Sequence, residues 1–351
     1  MKRRFILVAI TLLMVGAFAT AEEAVLIDFN KLNADIIAGP DGKMTANRQT
    51  VMDYSTVAGA TFTEEQKALM RTSLALTSWE VVLNSSARNV TSVSVSKAIA
   101  APVSQNAKNF AGQSLIGVRV NFPTWNANAN AFIKPPFEIP SYEPLATVGD
   151  DGKVAEPTAE QKATQKTRFE DGYGVVKNVG VLKSIAVNTY GMNFPHGLYV
   201  ILRDENNDEN RYFMGYLNFD GWKELVWQNP AYVSEVRTRE VRLYPVYPTA
   251  FPFQKFAGFL VTRDAMHQGG DFVGYFKDVK IIYDKAVMNT VRDFADEDLW
   301  GIQTKIEQDH KQYEVNRFGG VQVMRFLEQE KMATEKGFKP SDGAAAAAET
   351  K

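Results

Sequence analysis

The sequence predicts a mainly β fold, an antiparallel β-sandwich or jelly roll with a helical segment at its C-terminal end. Three observations predict it. Many segments alternate apolar and polar residues with period two, the pattern of strands with one buried face. Clusters of turn-forming residues separate them, such as Asn206-Asn207-Asp208 and His267-Gln268-Gly269-Gly270. The helices that a parallel sheet needs between its strands are missing.

Taken in order, strands are expected at 25–29, 79–84, 92–96, 115–122, 181–188, 197–203, 211–219, 222–228, 256–263 and 272–284. The alternation is plainest where Ile116, Val118, Val120 and Phe122 share one parity while Leu115, Gly117, Arg119 and Asn121 share the other. Val93 and Val95 alternate with Ser92, Ser94 and Ser96, and Val181, Ile185 and Val187 with Ser184 and Asn188. A short helix is expected from Thr63 to about Arg71, because Thr63-Glu64-Glu65-Gln66 matches a capping box. From Asp293 the chain turns helical. Asp296, Glu297 and Asp298 crowd the first turn, where the helix dipole favours negative charge. Leu299, Ile302, Ile306 and Tyr313 then form a stripe that must lie against something apolar. Gly319-Gly320 is expected to break this helix before a second one, Val321 to Lys336.

These elements divide the chain into a signal peptide (1–21), a sandwich domain (22–288), a C-terminal helical segment (289–337) and a disordered tail (338–351). The leader reading rests on Lys2-Arg3-Arg4, the apolar run Phe5 to Phe18, and the small-residue exit Ala19-Thr20-Ala21. Its apolar run falls short of the roughly 20 residues that span a bilayer, so no stable membrane insertion is expected. Residues 124–170, rich in Asn, Ala, Pro and charge, read as a long exposed insert from the sandwich.

Composition excludes several functions. The chain has 351 residues and no cysteine, which rules out thiolate catalysis, disulfides, cysteine-ligated metals and a lipoprotein anchor. Without the leader, 36 Lys and Arg face 41 acids, a net charge of −5. That balance offers no basic face for nucleic acid.

Catalytic and metal motifs are weak. His196, His267 and His310 lie far apart in sequence and read as isolated turn or surface side chains rather than a zinc set. Asp204, Asn206 and Asp208 occupy alternate positions of a calcium-loop pattern. Its sixth position is Glu209 instead of glycine and its twelfth is Gly215 instead of glutamate, so a polar hairpin tip fits better. Asn84-Ser85-Ser86 and Asn89-Val90-Thr91 match the glycosylation pattern by spacing alone. No catalytic residue, cofactor or metal site is assigned, and the chain is not expected to be an enzyme.

Strand 211–219 carries the most information. Phe213, Leu217 and Phe219 share one parity, Tyr212, Met214 and Tyr216 the other. A strand with a solvated side should show polar residues there. Its second face therefore needs a cover, either the C-terminal helical stripe or another protein. Trp222 and Trp227, five residues apart on the next strand, should face opposite sides of it. Tyr212, Tyr216, Trp222 and Trp227 are the candidate partner-binding residues.

Three stretches carry a family resemblance: Phe219-Asp220-Gly221-Trp222-Lys223-Glu224-Leu225-Val226-Trp227-Gln228-Asn229-Pro230-Ala231-Tyr232-Val233, Arg242-Leu243-Tyr244-Pro245-Val246-Tyr247-Pro248, and Gly274 to Asp284. With Pro135-Pro136-Phe137-Glu138-Ile139-Pro140, they resemble the flagellar filament outer-layer (sheath) proteins, FlaA, of spirochaetes. The resemblance implies a jelly roll related to carbohydrate-binding modules. It also implies a periplasmic structural subunit that associates with FlaB-type flagellin core subunits and other sheath copies, and affects filament stiffness, shape and cell motility. The module-like fold raises a shared calcium between Asp28 and Asp278, where first and last strands would meet. The alternative reading is a periplasmic carbohydrate-binding module using Trp222 or Trp227.

Overall fold

Where the alternation is strongest, the chain forms long strands with one apolar face. In a computed structural model of the chain, residues 21–38, 41–47, 49–59, 61–125, 127–142, 158–159, 168–232, 243–244, 252–288 and 293–334 are described. The early strands are β1 (Glu22–Asp28), β2 (Ile36–Ala38), β3 (Met44–Ala46), β4 (Val51–Asp53), β5 (Arg71–Ser73) and β6 (Glu80–Leu83). There follow β7 (Lys97–Pro102), β8 (Ser114–Phe122), β9 (Ala129–Lys134), β10 (Val175–Lys177), β11 (Val179–Met192) and β12 (Gly197–Arg203). The last are β13 (Glu209–Tyr216), β14 (Asp220–Gln228), β15 (Leu243–Tyr244), β16 (Phe253–Arg263), β17 (Gly270–Lys285) and β18 (Val287–Met288). Helices are α1 (Glu64–Leu69), α2 (Val90–Val95), α3 (Asp296–Trp300) and α4 (Ile302–Thr334).

Two six-stranded antiparallel sheets carry the fold, as the alternation predicts. Sheet I runs β14-β11-β17-β8-β7, with β1 also on β17; sheet II runs β13-β12-β16-β9-β6, with β10 also on β16. Both central strands are shared end to end. β8 pairs with residues 270–276 of β17 and β1 with residues 278–283. β9 pairs with residues 259–263 of β16 and β10 with residues 253–255. The inward parity of β8, Ile116 to Phe122, is fully buried and joins Ile185, Val187 and Phe272 of sheet I. Against them lie Leu198, Val200, Phe259 and Val261 of sheet II. Phe259 stacks on Phe276 across the two layers, ring centroids 4.5 Å apart. Such pairs add about 1 kcal/mol beyond the area they bury.

Four expectations are corrected. Residues 92–96 do not form a strand. Asn89 Oδ1 accepts from the Ser92 amide at 2.7 Å and Ser92 Oγ accepts from the Asn89 amide at 2.8 Å, a reciprocal cap that starts α2 instead. The insert reading fails for the described part of 124–170. β9 lies inside sheet II with Ala129, Ala131 and Ile133 in the core, and Phe137, Ile139 and Tyr142 are buried. Proline and asparagine there marked turns within a packed segment. Helix α4 runs unbroken through Gly319-Gly320; the break falls at Gly301, whose left-handed backbone ends α3. A β-carbon on Gly319 would come 2.1 Å from Val57 Cγ1, so glycine there serves close packing. His196 is buried at the end of the sandwich, not at the surface. Residues 1–20 of the leader and the tail beyond Thr334 lie outside the described residues.

α1 begins with the expected capping box, Thr63 with Gln66. α4 docks through Val315, Phe318, Gly319, Gln322 and Phe326. Phe318 meets Tyr54 and Phe137 edge-on, at 6.3 and 5.5 Å. A charged clamp completes the dock. Glu138 accepts from Lys255 of β16 and from Arg317 of α4, each at 2.7 Å, and pairs with Arg203 of β12 at 3.0 Å. Glu314 of α4 accepts from Ser141 Oγ at 2.8 Å and the Tyr142 amide at 2.6 Å.

Candidate interaction surfaces

The hairpin β13–β14 crosses from sheet II to sheet I and forms the open side of the sandwich. Trp222 and Trp227 face opposite sides of β14, as their spacing predicts. Trp227 pairs in register with the buried Ile185 and turns inward, where its ring meets Tyr212 of sheet II at 4.6 Å. That contact joins the two sheets along their rim. Trp222 turns outward beside Tyr190 at 5.4 Å, and Tyr190 continues to Tyr275 at 6.1 Å. Phe110, from the loop between β7 and β8, sits edge-on to Trp222 at 4.7 Å. The result is a row of four rings on the outer face of sheet I.

Among the described residues, the C-terminal helix does not cover β13. Met214 faces the core, and Gly215, at φ +128°, forms a bulge that shifts the register between Leu198 and Tyr199. The bulge puts Phe213 and Tyr216, of opposite parity, on the same outer side. Their rings lie 5.4 Å apart, and Phe213 lies 4.9 Å from Tyr199. Phe213 is 40% exposed and Tyr216 45% exposed. The patch rests on Gly197, where a β-carbon would come 3.3 Å from the Phe213 ring. Tyr216 donates to Asp264 Oδ2 at 3.3 Å, and that carboxylate raises the phenol above its ordinary value. Sequence reasoning missed Tyr199 and the shared side of Phe213 and Tyr216. A glycine inside a strand pattern was the available sign of a bulge.

Asp28 and Asp278 do meet, as register partners of β1 and β17. The space between them is taken by an ammonium: Lys277 Nζ lies 3.7 Å from Asp28 Oδ2 and donates to Asp278 Oδ2. Asn188 Nδ2 adds a bond to Asp278 at 2.7 Å. Among the described residues, no group of three or more His, Asp or Glu is placed to hold a metal ion. The 204–210 segment is the β12–β13 hairpin tip, with Asp204 Oδ1 accepting from the amides of Asn206 and Asp208, each at 3.0 Å.

His196 stacks on Phe122 at 5.1 Å and lies 5.0 Å from Phe272. Burial, helped by nearby His267 and Arg263, pulls its pKa down to about 4. Beside it the buried Arg263 guanidinium donates to the carbonyls of Pro123 and Trp125, each at 2.9 Å, and of Ala127. These groups fasten the β8–β9 loop. No helix among the described residues is long and apolar enough to cross a membrane.

The chain has clear relatives among known proteins. Residues 43–292 match the family model "Flagellar filament outer layer protein Flaa". The chain is 66% identical over 344 residues to a flagellar filament outer layer protein of Treponema pallidum (strain Nichols), covering 98% of each chain. It is 43% identical over 348 residues to one from Spirochaeta aurantia, covering 99% of this chain and 98% of the other. Among solved structures, carbohydrate-binding modules of the β-sandwich superfamily overlap 70% of each chain at 12% identity and a TM-score of 0.29. A module in complex with β-1,4-galactotriose overlaps 59% of this chain and 90% of its own, at 11% identity and a TM-score of 0.27. Those overlaps are too loose to say anything of ligands. The chain belongs to the flagellar filament outer layer protein family.

Proposed function

We propose that the chain is a structural, non-catalytic subunit of the outer layer of a periplasmic flagellar filament, exported by the leader at 1–21. One observation carries the reading: the 66% identity to a flagellar filament outer layer protein extends over 98% of both chains. In this reading the protein lies on FlaB-type flagellin core subunits and beside other copies of itself, and it contributes to filament stiffness, shape and cell motility. Tyr216, with Phe213 and Tyr199, offers an outward aromatic surface to a partner, and Trp222 offers a second on the opposite sheet. Tyr212 and Trp227 support this role from below, by bracing the rim between the sheets.

The test is deletion of the gene. The outer-layer reading expects purified periplasmic filaments to lose diameter and change curvature. Filaments of unchanged diameter and shape would end it. The carbohydrate-binding alternative draws on the outward row of Trp222, Tyr190 and Tyr275; glycan binding lost in Trp222→Ala but kept in Phe213→Ala would favour it.

A further inference from the structure

Helix α4 carries two apolar faces, and among the described residues the sandwich buries one of them. The docked face is Val315, Phe318, Gly319, Gln322 and Phe326. About half a turn away, Ile302, Ile306, Tyr313, Gly320, Met324 and Leu327 fall on one line at 3.6 residues per turn. Tyr313 is 65% exposed and Met324 58% exposed. Ile302, Ile306 and Tyr313 belong to the stripe that the sequence marks as needing an apolar neighbour, and among the described residues Tyr313 and Met324 are left open.

Gly320 sits in the middle of that line. A helix-interior glycine costs about 1 kcal/mol relative to alanine. Gly319 is explained by its approach to Val57, whereas a β-carbon on Gly320 would meet nothing within 4 Å. Two pairs along this line are symmetric about this residue, while Met324 has the polar Asn316 as its mirror position. Tyr313 and Leu327 lie seven positions to either side of Gly320, and the exposed Asp309 and Lys331 lie eleven to either side. A second helix laid antiparallel, with Gly320 over Gly320, brings Tyr313 onto Leu327 and Asp309 onto Lys331. By the same twofold it repeats both contacts. A self-complementary patch of this kind is the requirement for a twofold interface.

We propose that this face of α4 pairs with the same face of a second copy of the chain, antiparallel about Gly320. The glycine admits close approach of the two backbones, the apolar pairs exclude water, and the Asp309–Lys331 pairs fix direction and register. The idea names the like-with-like contact of the outer-layer reading and takes its biological setting from it; the pairing itself is a property of the purified protein. A modest interface is sufficient in a filament, because neighbouring subunits bind many times over.

The cysteine-free chain gives a clean test on concentrated purified full-length protein under mild oxidation. Asn106→Cys, in an exposed loop, should stay monomeric. Tyr313→Cys and Leu327→Cys should cross-link when mixed and not when alone, because an antiparallel register separates like positions by about 20 Å at 1.5 Å per residue. Asp309→Lys should weaken the dimer about fivefold through its two symmetric pairs, and Asp309→Lys combined with Lys331→Asp should restore it. Absence of cross-linking between mixed Tyr313→Cys and Leu327→Cys, or efficient linking of Tyr313→Cys by itself, overturns the proposal. If that happens while wild-type protein still coats filaments, the helix contact is refuted and the outer-layer reading stands. Absence of the wild-type protein from filaments refutes only the latter.

Discussion

The Arg317 guanidinium of α4 donates to the Glu138 carboxylate at 2.7 Å, fastening the C-terminal helix to the segment that follows β9. Glu138 also binds Lys255, whose side chain is almost fully buried, and Arg203. One carboxylate thus answers three cations from three elements.

Glu138→Gln should therefore loosen the helix. Burial alone would raise the Glu138 carboxyl, but Lys255, with Arg203 and Arg317, outweighs it and holds the pKa below its ordinary 4.5. A depressed carboxylate stabilises the fold above its ordinary value, and that stability is lost as pH falls through the native value. Removing the charge leaves the buried Lys255 poorly paired, a cost of about 2 kcal/mol at neutral pH. Urea unfolding across a pH series checks both points: the variant should start lower and lose part of the acid slope below about pH 4.5.

His196 predicts a second, separate window. Its native pKa is about 4 against an ordinary 6.5, so the unfolded chain takes up a proton that the folded one refuses. Stability should be full above pH 6.5 and should fall towards pH 4 by about 3 kcal/mol. His196→Phe should flatten that window without changing the loss below it. An equal slope in the variant would show that other groups control it.

Lys277→Met should destabilise by about 3 kcal/mol, since it leaves Asp278, 2% exposed, facing Asp28 with no cation between them. Thermal unfolding reads this directly. An unchanged midpoint would mean that the ammonium is dispensable.

Phe213→Ala and Tyr216→Ala separate folding from contact. Both rings are roughly half exposed, so each truncation should cost about 1 kcal/mol or less and leave the circular dichroism spectrum intact. Co-sedimentation with isolated filaments should drop for both. Retained binding in the double variant would move the contact elsewhere on the sandwich.

The layered fold was legible because its cores are simple. The parity of Ile116 to Phe122 and the spacing of Trp222 and Trp227 mapped straight onto inward and outward faces. Reading failed where a local bond or a long-range contact overrode the period. The Ser-Val alternation at 92–96 lost to the Asn89–Ser92 cap. The Gly215 bulge moved Tyr216 beside Phe213. Gly319 looked like a helix breaker because Val57, its reason for being glycine, is distant in sequence. The prolines of 135–140 suggested an exposed excursion, whereas Phe137 and Glu138 are held by α4, nearly two hundred residues on. The Lys277 ammonium between Asp28 and Asp278 depends on register, which a single sequence does not display.

The most direct test of the account is where the protein resides. Antibody raised against it, applied with gold label to purified periplasmic flagella, should decorate the filament surface along its length. Finding the protein only in the soluble fraction, with filaments unlabelled, would contradict the assignment to the outer layer.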